Sequence, residues 1–431
     1  MTVGISSAAF ASLMRSCVSW GVNPRLAVAV SGGADSLTLA FLAHEWARAQ
    51  GGEAVALTVD HGLREASARE AVAVGEWLGA EGMRHHVLKW KGPHPKTRIQ
   101  EAARVARYDL LARWCRANQI MFLLLAHHRD DQAETYLMRK ERGSRPTGLA
   151  AMRAVTPPPG GGHRWPLLVR PLLPLGKNCL EATLASRGQD WIRDPSNENT
   201  GYTRVQVRRH IMGTPEPDAF TDRLVQQAEE NAKIRDRANT DINSLYARFL
   251  TLSPYGYARI RVWDDIPEAL SRGFWSRLLR TVGGRPYPPR IDRVETFMAK
   301  LEKHDFKATT VAGCYIQRTQ NGLLIMREQA GIVKEAAIIP EMVWDRRFLI
   351  HSDLSGDYQV RPLGEEGVRA LKTDWPETSQ LPLPAMVHRT LPGIFRNGVL
   401  QGMPVFGCAL ADTAGLKGVC ARFVPPVPLG W

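Results

Sequence analysis

The sequence lacks any cysteine pair of the form C-x-x-C; its six cysteines stand apart at 17, 115, 179, 314, 408 and 420. That spacing gives little support to a zinc ribbon, a thioredoxin-like redox site or a cysteine-held iron–sulfur cluster, and scattered thiols fit a reducing compartment. Also missing is any uncharged apolar run of about 18 residues, the length a membrane-spanning helix requires. No Lys or Arg precedes Arg15, so the mildly apolar N-terminus has no basic opening of the secretory kind. It reads instead as a capping helix of a cytoplasmic protein. Internal repeats and low-complexity tracts are absent as well.

What is present begins with charge. The 431 residues carry 56 Lys and Arg against 43 Asp and Glu, a formal net charge of +13. Solubility alone needs less, so the excess points to a polyanionic partner. Nucleic acid is the first candidate. A membrane surface is the second, and no long basic amphipathic helix supports it.

Leu26–Val30 is a short apolar run, read as a buried parallel strand, and the residues after Asp35 have the spacing of a mostly buried helix. Between them lies Ser31-Gly32-Gly33-Ala34-Asp35-Ser36, a strand–turn–helix junction. Glycines let backbone approach a ligand closely, and amides at a helix start favour an anion. The ATP-hydrolysing phosphate loop of the form G-x-x-x-x-G-K-[ST] has a lysine that this loop lacks. An aspartate beside phosphate makes sense with a metal between them, so Asp35 implies Mg²⁺. An ordinary glycine turn is the plainer alternative, and this six-residue string disfavours it.

The strand-then-polar-cluster pattern recurs. Ala54–Val59 leads into Asp60-His61-Gly62-Leu63-Arg64, with a helix from about Glu65. Met121–Ala126 leads into His127-His128-Arg129-Asp130-Asp131-Gln132-Ala133-Glu134, and His85–Lys89 supplies a weaker strand. Such alternation predicts a doubly wound α/β domain, with ligands outside the carboxyl ends of its strands. On a helix from 98 to 108, Glu101, Arg104 and Tyr108 share a face, with Arg107 nearby; a solvated charged face is the plain alternative. The adjacent His127 and His128 lack the i, i+4 spacing of a zinc pair. Asp131 and Glu134 suit a metal, a cationic substrate, or the helix dipole alone.

Taken in order, S-G-G-A-D-S (31–36), V-D-H-G-L-R (59–64), E-A-A-R-x-x-R-Y-x-x-L (101–111) and A-H-H-x-D-D-Q-x-E-T (126–135) resemble the tRNA(Ile)-lysidine synthases, members of the N-type ATP pyrophosphatases (PP-loop superfamily). Arg142-Gly143-Ser144 with Gly148–Met152, Arg170–Leu173, and Asp194–Asn197 with Tyr202 and Arg204 extend the likeness. It is dense over roughly the first 210 residues and looser through Ala308–Glu328 and Val360–Lys372. The chain departs from the pattern at Arg145-Pro146, where a flexible glycine stretch is expected, and in its Pro-rich tail after Trp375.

The resemblance implies ATP contacts from Ser31, Gly32, Gly33, Ala34, Asp35, Ser36, Asp60, His61, Arg107 and His127. It implies catalysis by Asp35, Arg104, Asp131 and Glu134, and lysine or tRNA contacts from Asp131, Glu134, His128 and Arg204. Mg²⁺ would sit on Asp35. The implied reaction adenylates the C2 oxygen of the wobble cytidine of a CAU-anticodon tRNA(Ile), and free L-lysine then displaces AMP. The lysine amine titrates near about 10.4, so a carboxylate or His128 must accept a proton first. No membrane partner is implied, and a homodimer stays open. Three rivals exist: a tRNA thiolase, which often carries paired cysteines; a small-molecule amidating ligase; and a catalytically dead tRNA-binding protein. The expected organisation is a catalytic domain at 1–215, a helical linker with an α+β tRNA-binding module at 216–335, and a β-containing tRNA-binding module at 336–431. Phe220–Leu250 is read as a long linking helix, Asn321-Gly322 as a hairpin signal.

Overall fold

Alternate residues of the early strands belong to different cores, and this fixes the architecture of the first unit. In β1 (Arg25–Ala29), Leu26 and Val28 join one buried cluster while Ala27 joins another; in β2 (Glu53–Asp60), Ala54 and Ala56 divide from Val55 and Leu57 in the same way. A strand buried on both faces needs a helical layer on each side. One cluster draws on α1 (Ser7–Cys17), α2 (Ala34–Ala49) and α7 (Lys177–Ala185); the other draws on α4 (Ile99–Ala117). Twelve residues of α2 are buried, so this helix is apolar nearly all round, as a central helix must be.

The computed structural model describes all residues except 1–2, 63–64, 93–96, 98, 159–165, 194–202, 355, 375–382, 407, 410–417, 427–428 and 430–431. The chain forms two compact units, one from Met1–Pro159 and Arg164–Arg237, the other from Ala238–Trp431. In the first, the strand order is β3-β2-β1-β4-β6-β5, with β3 at His85–Lys89, β4 at Phe122–Leu124, β5 at Val155–Thr156 and β6 at Leu167–Val169. All pairings are parallel except β5 on β6, an antiparallel edge. The order reverses between β1 and β4, which puts a ligand-binding crevice at the carboxyl ends of those strands. The doubly wound reading of the sequence is met, and α3 (Glu65–Ala80) begins where it was expected.

Three further helices carry the site's flank. α5 (Arg129–Glu141), α8 (Thr203–Met212) and α9 (Pro217–Phe249) share a core of Ala133, Tyr136, Val207, Ile211, Leu224 and Ala228. The short α6 (Pro146–Leu149) opens with Pro146 at its first position, where the fixed φ and missing N–H of proline cost nothing. Arg145-Pro146 therefore starts a helical turn in place of the glycine stretch.

The second unit is built on antiparallel sheets. In one, the strands at Leu250–Leu252, Ala258–Ile260, Gly322–Arg327, Cys314–Thr319 and Ala308–Val311 are neighbours in that order. The hairpin pairs Thr319 with Gly322, so its two loop residues are Gln320 and Asn321, one place before the Asn-Gly step. Strand Gly322–Arg327 is buried on both faces: Leu323 and Ile325 in one cluster, Leu324 and Met326 in the next. At its end Arg327 donates through Nε and Nη2 to the two oxygens of Asp345 at 3.0 and 3.1 Å, and Arg347 Nε donates to Asp345 at 2.8 Å. Arg347 is fully buried and Asp345 nearly so. Removing the anion leaves two buried cations facing each other. Asp345→Ala is expected to lower unfolding free energy by roughly 3–5 kcal/mol, read as a lower urea midpoint. A midpoint equal to wild type would contradict this.

Candidate functional site

Beyond β1 the chain turns sharply at Gly32, whose φ is +88°. A Cβ there would lie 2.5 Å from Ile192 Cδ1 and 2.9 Å from Val74 Cγ2, so only glycine fits. Ile192 N also donates to Gly32 O at 2.9 Å, tying the 192 segment to the loop. Gly33 caps α2 and Asp35 sits in its first turn. Ser36 is buried and closes the loop: its hydroxyl accepts from Ser31 N at 3.1 Å and donates to Gly33 O at 3.0 Å. The Ser36 hydroxyl, implied by the resemblance as an ATP contact, thus spends its proton inside the turn.

A cavity of about 580 Å³ opens from this loop, within the range of roughly 300–1,000 Å³ typical of ligand sites. Of the sequence-predicted residues, Ser31, Gly33, Asp35, Ser36, His61, Arg104, Arg107 and His127 line it. Gly32, Ala34, Asp60, His128, Asp131, Glu134 and Arg204 do not. Arg104 and Arg107 are exposed on α4, and the Arg104 guanidinium lies 5.2 Å from the Tyr108 ring centre. Burial holds the His127 imidazole well below its ordinary value against the pull of Asp131, with Arg170, Arg204 and Arg104 lowering it further, so His127 is neutral.

Asp60 is a correction. Its Oδ1 accepts from Gly62 N at 2.9 Å and Ser67 Oγ at 2.7 Å, which pins the start of α3 and leaves the side chain off the cavity wall. In its place α3 offers Ser67, Glu70, Ala71 and Val74, one helical face at i, i+3, i+4 and i+7. That periodicity was readable just after V-D-H-G-L-R but went unused. Thr58 and Ile192 were missed too. Nothing local marks Ile192, and its neighbours Asp194–Asn197, like Tyr202, Leu63 and Arg64, lie outside the described residues.

Behind the cavity runs a line of alternating charges. His128, 3% exposed, has Nε2 3.6 Å from Asp35 Oδ2 and 3.7 Å from Asp131 Oδ2, and Nδ1 3.1 Å from Asp130 Oδ2. Asp130 Oδ2, the nearest of the three, favours the charged form of the ring. Burial by itself would lower His128; Asp130, Asp35 and Asp131 outweigh it and raise the imidazole to about 10, which keeps it cationic. Asp131 is held below the usual carboxylate range: burial raises it, and His128 and Arg204 more than offset that. Asp130 Oδ2 accepts from Lys177 N at 2.8 Å, at the start of α7.

The line continues into α8. Arg204 Nη2 donates to Asp131 Oδ1 and its Nε to Glu134 Oε2, both at 2.5 Å; Arg208 Nε donates to Glu134 Oε1 at 2.6 Å. Glu134 is 1% exposed. Asp131 and Glu134, which in the sequence suit a metal, a cationic substrate or the helix dipole, are ion-paired here: i and i+3 acids on α5 meet i and i+4 arginines on α8. Arg208 was not foreseen, and Arg204 faces acids rather than open space. His128 is buried and does not line the cavity.

A lysine-free glycine loop at the carboxyl edge of a parallel sheet, with an aspartate opening the next helix, defines the PP-loop class of nucleotide-binding domains, and the PP-loop domain family matches residues 7–214. The chain is 33% identical over 402 residues to the tRNA(Ile)-lysidine synthase of Ruegeria pomeroyi, covering 91% of each. With the protein of that name from Mesorhizobium japonicum it shares 32% identity over 93% of this chain and 89% of the relative, and with that of Hyphomonas neptunium 34% over 76% and 88%. This chain belongs to the tRNA(Ile)-lysidine synthase family. Among the described residues no helix is long and apolar enough to cross a membrane.

Gly32→Ala combines a left-handed φ with a clash against Ile192, and is expected to weaken ATP binding at least about 10-fold, since strained non-glycine backbone costs on the order of 1–3 kcal/mol. Isothermal titration of ATP checks it; wild-type affinity would refute the close-approach role of the glycine.

Proposed function

We propose that this protein uses ATP to join free L-lysine to C2 of the wobble cytidine of a CAU-anticodon tRNA(Ile), in the cytoplasm, releasing AMP and pyrophosphate. The observation that carries the reading is the cavity itself: a phosphate loop with an aspartate at its lip, two arginines opposite, and a buried acid–arginine network at its back. Family membership supports the substrate.

In the first step the cytidine C2 oxygen attacks the α-phosphorus of ATP. A P–O bond forms to the base as the α–β bridging bond breaks, and pyrophosphate takes the electron pair. The amides of 32–34 hold the pyrophosphate, while Arg104 and Arg107 hold phosphate or the adenylated base by forked contacts. Asp35 fits a Mg²⁺ ion: its Oδ1 is buried and has no hydrogen-bond partner among the described residues. No group of three or more ligating side chains forms a cage among the described residues, as suits an ion that is held by one or two carboxylates, phosphates and water. Mg²⁺ there would spread the charge developing on the leaving group.

In the second step a deprotonated lysine ε-amine attacks C2, and the AMP oxygen departs with the electron pair. Asp131 and Glu134 are proposed to receive the lysine cation, which must exchange with Arg204 to reach them. A carboxylate then accepts the proton. Residues 216–335 and 336–431 are proposed to hold the tRNA. Of the basic run at 277–293, Arg285, Arg290 and Arg293 are exposed, whereas Arg277 and Arg280 are half-buried and bonded to Asn239 and Pro286.

Incubation with ATP, labelled lysine and tRNA, followed by nuclease digestion and detection of lysidine, tests the reading; no incorporation into tRNA would defeat it. Asp35→Asn should cut lysidine formation by about 10²-fold or more, the scale of losing one transition-state charge stabiliser, while the protein still folds by circular dichroism. Near-normal turnover would release Asp35 from this role. Glu134→Gln leaves Arg204 and Arg208 short of charge, yet these are 41% and 38% exposed. Water takes up part of the loss, so roughly 1–2 kcal/mol of stability should go, less than for a fully buried pair. The lysine KM should rise far more than that for ATP; failed tRNA adenylation with an unchanged lysine KM would instead assign Glu134 to the first step.

A further inference from the structure

Lys89-Trp90-Lys91 ends the edge strand β3 beside the cavity mouth. Lys89 pairs in register with Asp60, which sets Trp90 level with His61. Trp90 N donates to Asp60 O at 2.9 Å. The Trp90 indole meets the His61 ring edge to face, with centroids 6.0 Å apart and planes at 89°. His61 lines the cavity; Trp90 does not, so the indole stands one ring outside the wall. Lys89 and Lys91 are exposed and Trp90 is half-buried. Lysines on an edge strand discourage unwanted strand addition, and that would explain the two cations. It does not explain the aromatic between them.

A base that reacts inside a cavity leaves its stack, and its neighbours lose a stacking partner. A flat ring flanked by cations replaces what they lose, at about 1–3 kcal/mol per base and with little regard to sequence. Apolar contacts for ATP are already available within the wall, from Val59, Ala71, Val74, Leu111, Leu125 and Ile192. We propose that Trp90 is a stacking platform for an unpaired nucleotide flanking the one that enters the cavity, with Lys89 and Lys91 on the adjoining phosphates. This rests on the reading that the substrate is RNA, and it adds a contact in the first unit to the basic modules that follow.

The test uses the full-length protein and a fluorescein-labelled RNA hairpin with a CAU anticodon loop, followed by anisotropy without ATP or lysine. Trp90→Leu should weaken hairpin binding roughly 5- to 100-fold, Trp90→Phe should restore most of it, and a blunt duplex should bind both variants as it binds wild type. Unchanged hairpin affinity in Trp90→Leu would overturn the platform, as would an equal loss of ATP affinity in Trp90→Leu, which would make Trp90 a prop for His61. The surface variant K89A/K91A should flatten the plot of log affinity against log salt by about 1.4, two single-strand phosphates' worth; an unchanged slope would overturn the phosphate contacts. Absence of lysidine from wild-type reactions would defeat the proposed reaction, while the hairpin measurements would still judge the platform.

Discussion

A single buried imidazolium ties the catalytic unit together. His128 faces Asp35 from α2 and both Asp130 and Asp131 from α5, and Asp130 in turn caps the start of α7. Three carboxylates this close would repel one another strongly in a low-dielectric interior. The cation between them offsets that repulsion, and one of the three is the aspartate of the phosphate loop. The position of Asp35 therefore depends on His128, although His128 touches neither the cavity nor anything in it.

The same logic extends outward. Asp131 shares Arg204 with Glu134, and Glu134 shares Arg208, so charge alternates from the loop to α8 without an unpaired member. A network of this kind resists substitution at any node because each change strands a neighbour. It also separates two tasks. Arg104 and Arg107 line the cavity with the phosphate loop, while Asp131 and Glu134 stay off its wall, matched to cations. On the proposed reading, a lysine ammonium reaching these acids exchanges with the Arg204 guanidinium already in place.

Local patterns made much of this legible. The glycine loop, the strands of the first sheet and the helix starting at Glu65 follow from short-range periodicity, and all stand where the sequence puts them. What could not be read depends on distant pairings. Glu134 seemed available because Arg204 and Arg208 lie 70 and 74 residues away, and only tertiary packing of α5 on α8 brings them together. Ile192 fills the space over Gly32 from 160 residues downstream in the same way. Asp60 differs: D-x-G is a local turn, and one oxygen of its carboxylate is taken up by Gly62 N and Ser67 Oγ. The second unit resisted reading because its strands pair out of order, Phe348–His351 with Cys420–Phe423 for example.

In the proposed reaction, activation falls on the base and not on the amino acid. Adenylation of the cytidine oxygen means that oxygen leaves with AMP. The direct measurement is a reaction on tRNA carrying ¹⁸O at C2 of the wobble cytidine, with mass analysis of the released AMP. The account predicts that AMP formed with lysidine carries the label, one oxygen per turnover. Unlabelled AMP accompanying lysidine would show that lysine, or some other group, was activated instead, and would contradict it.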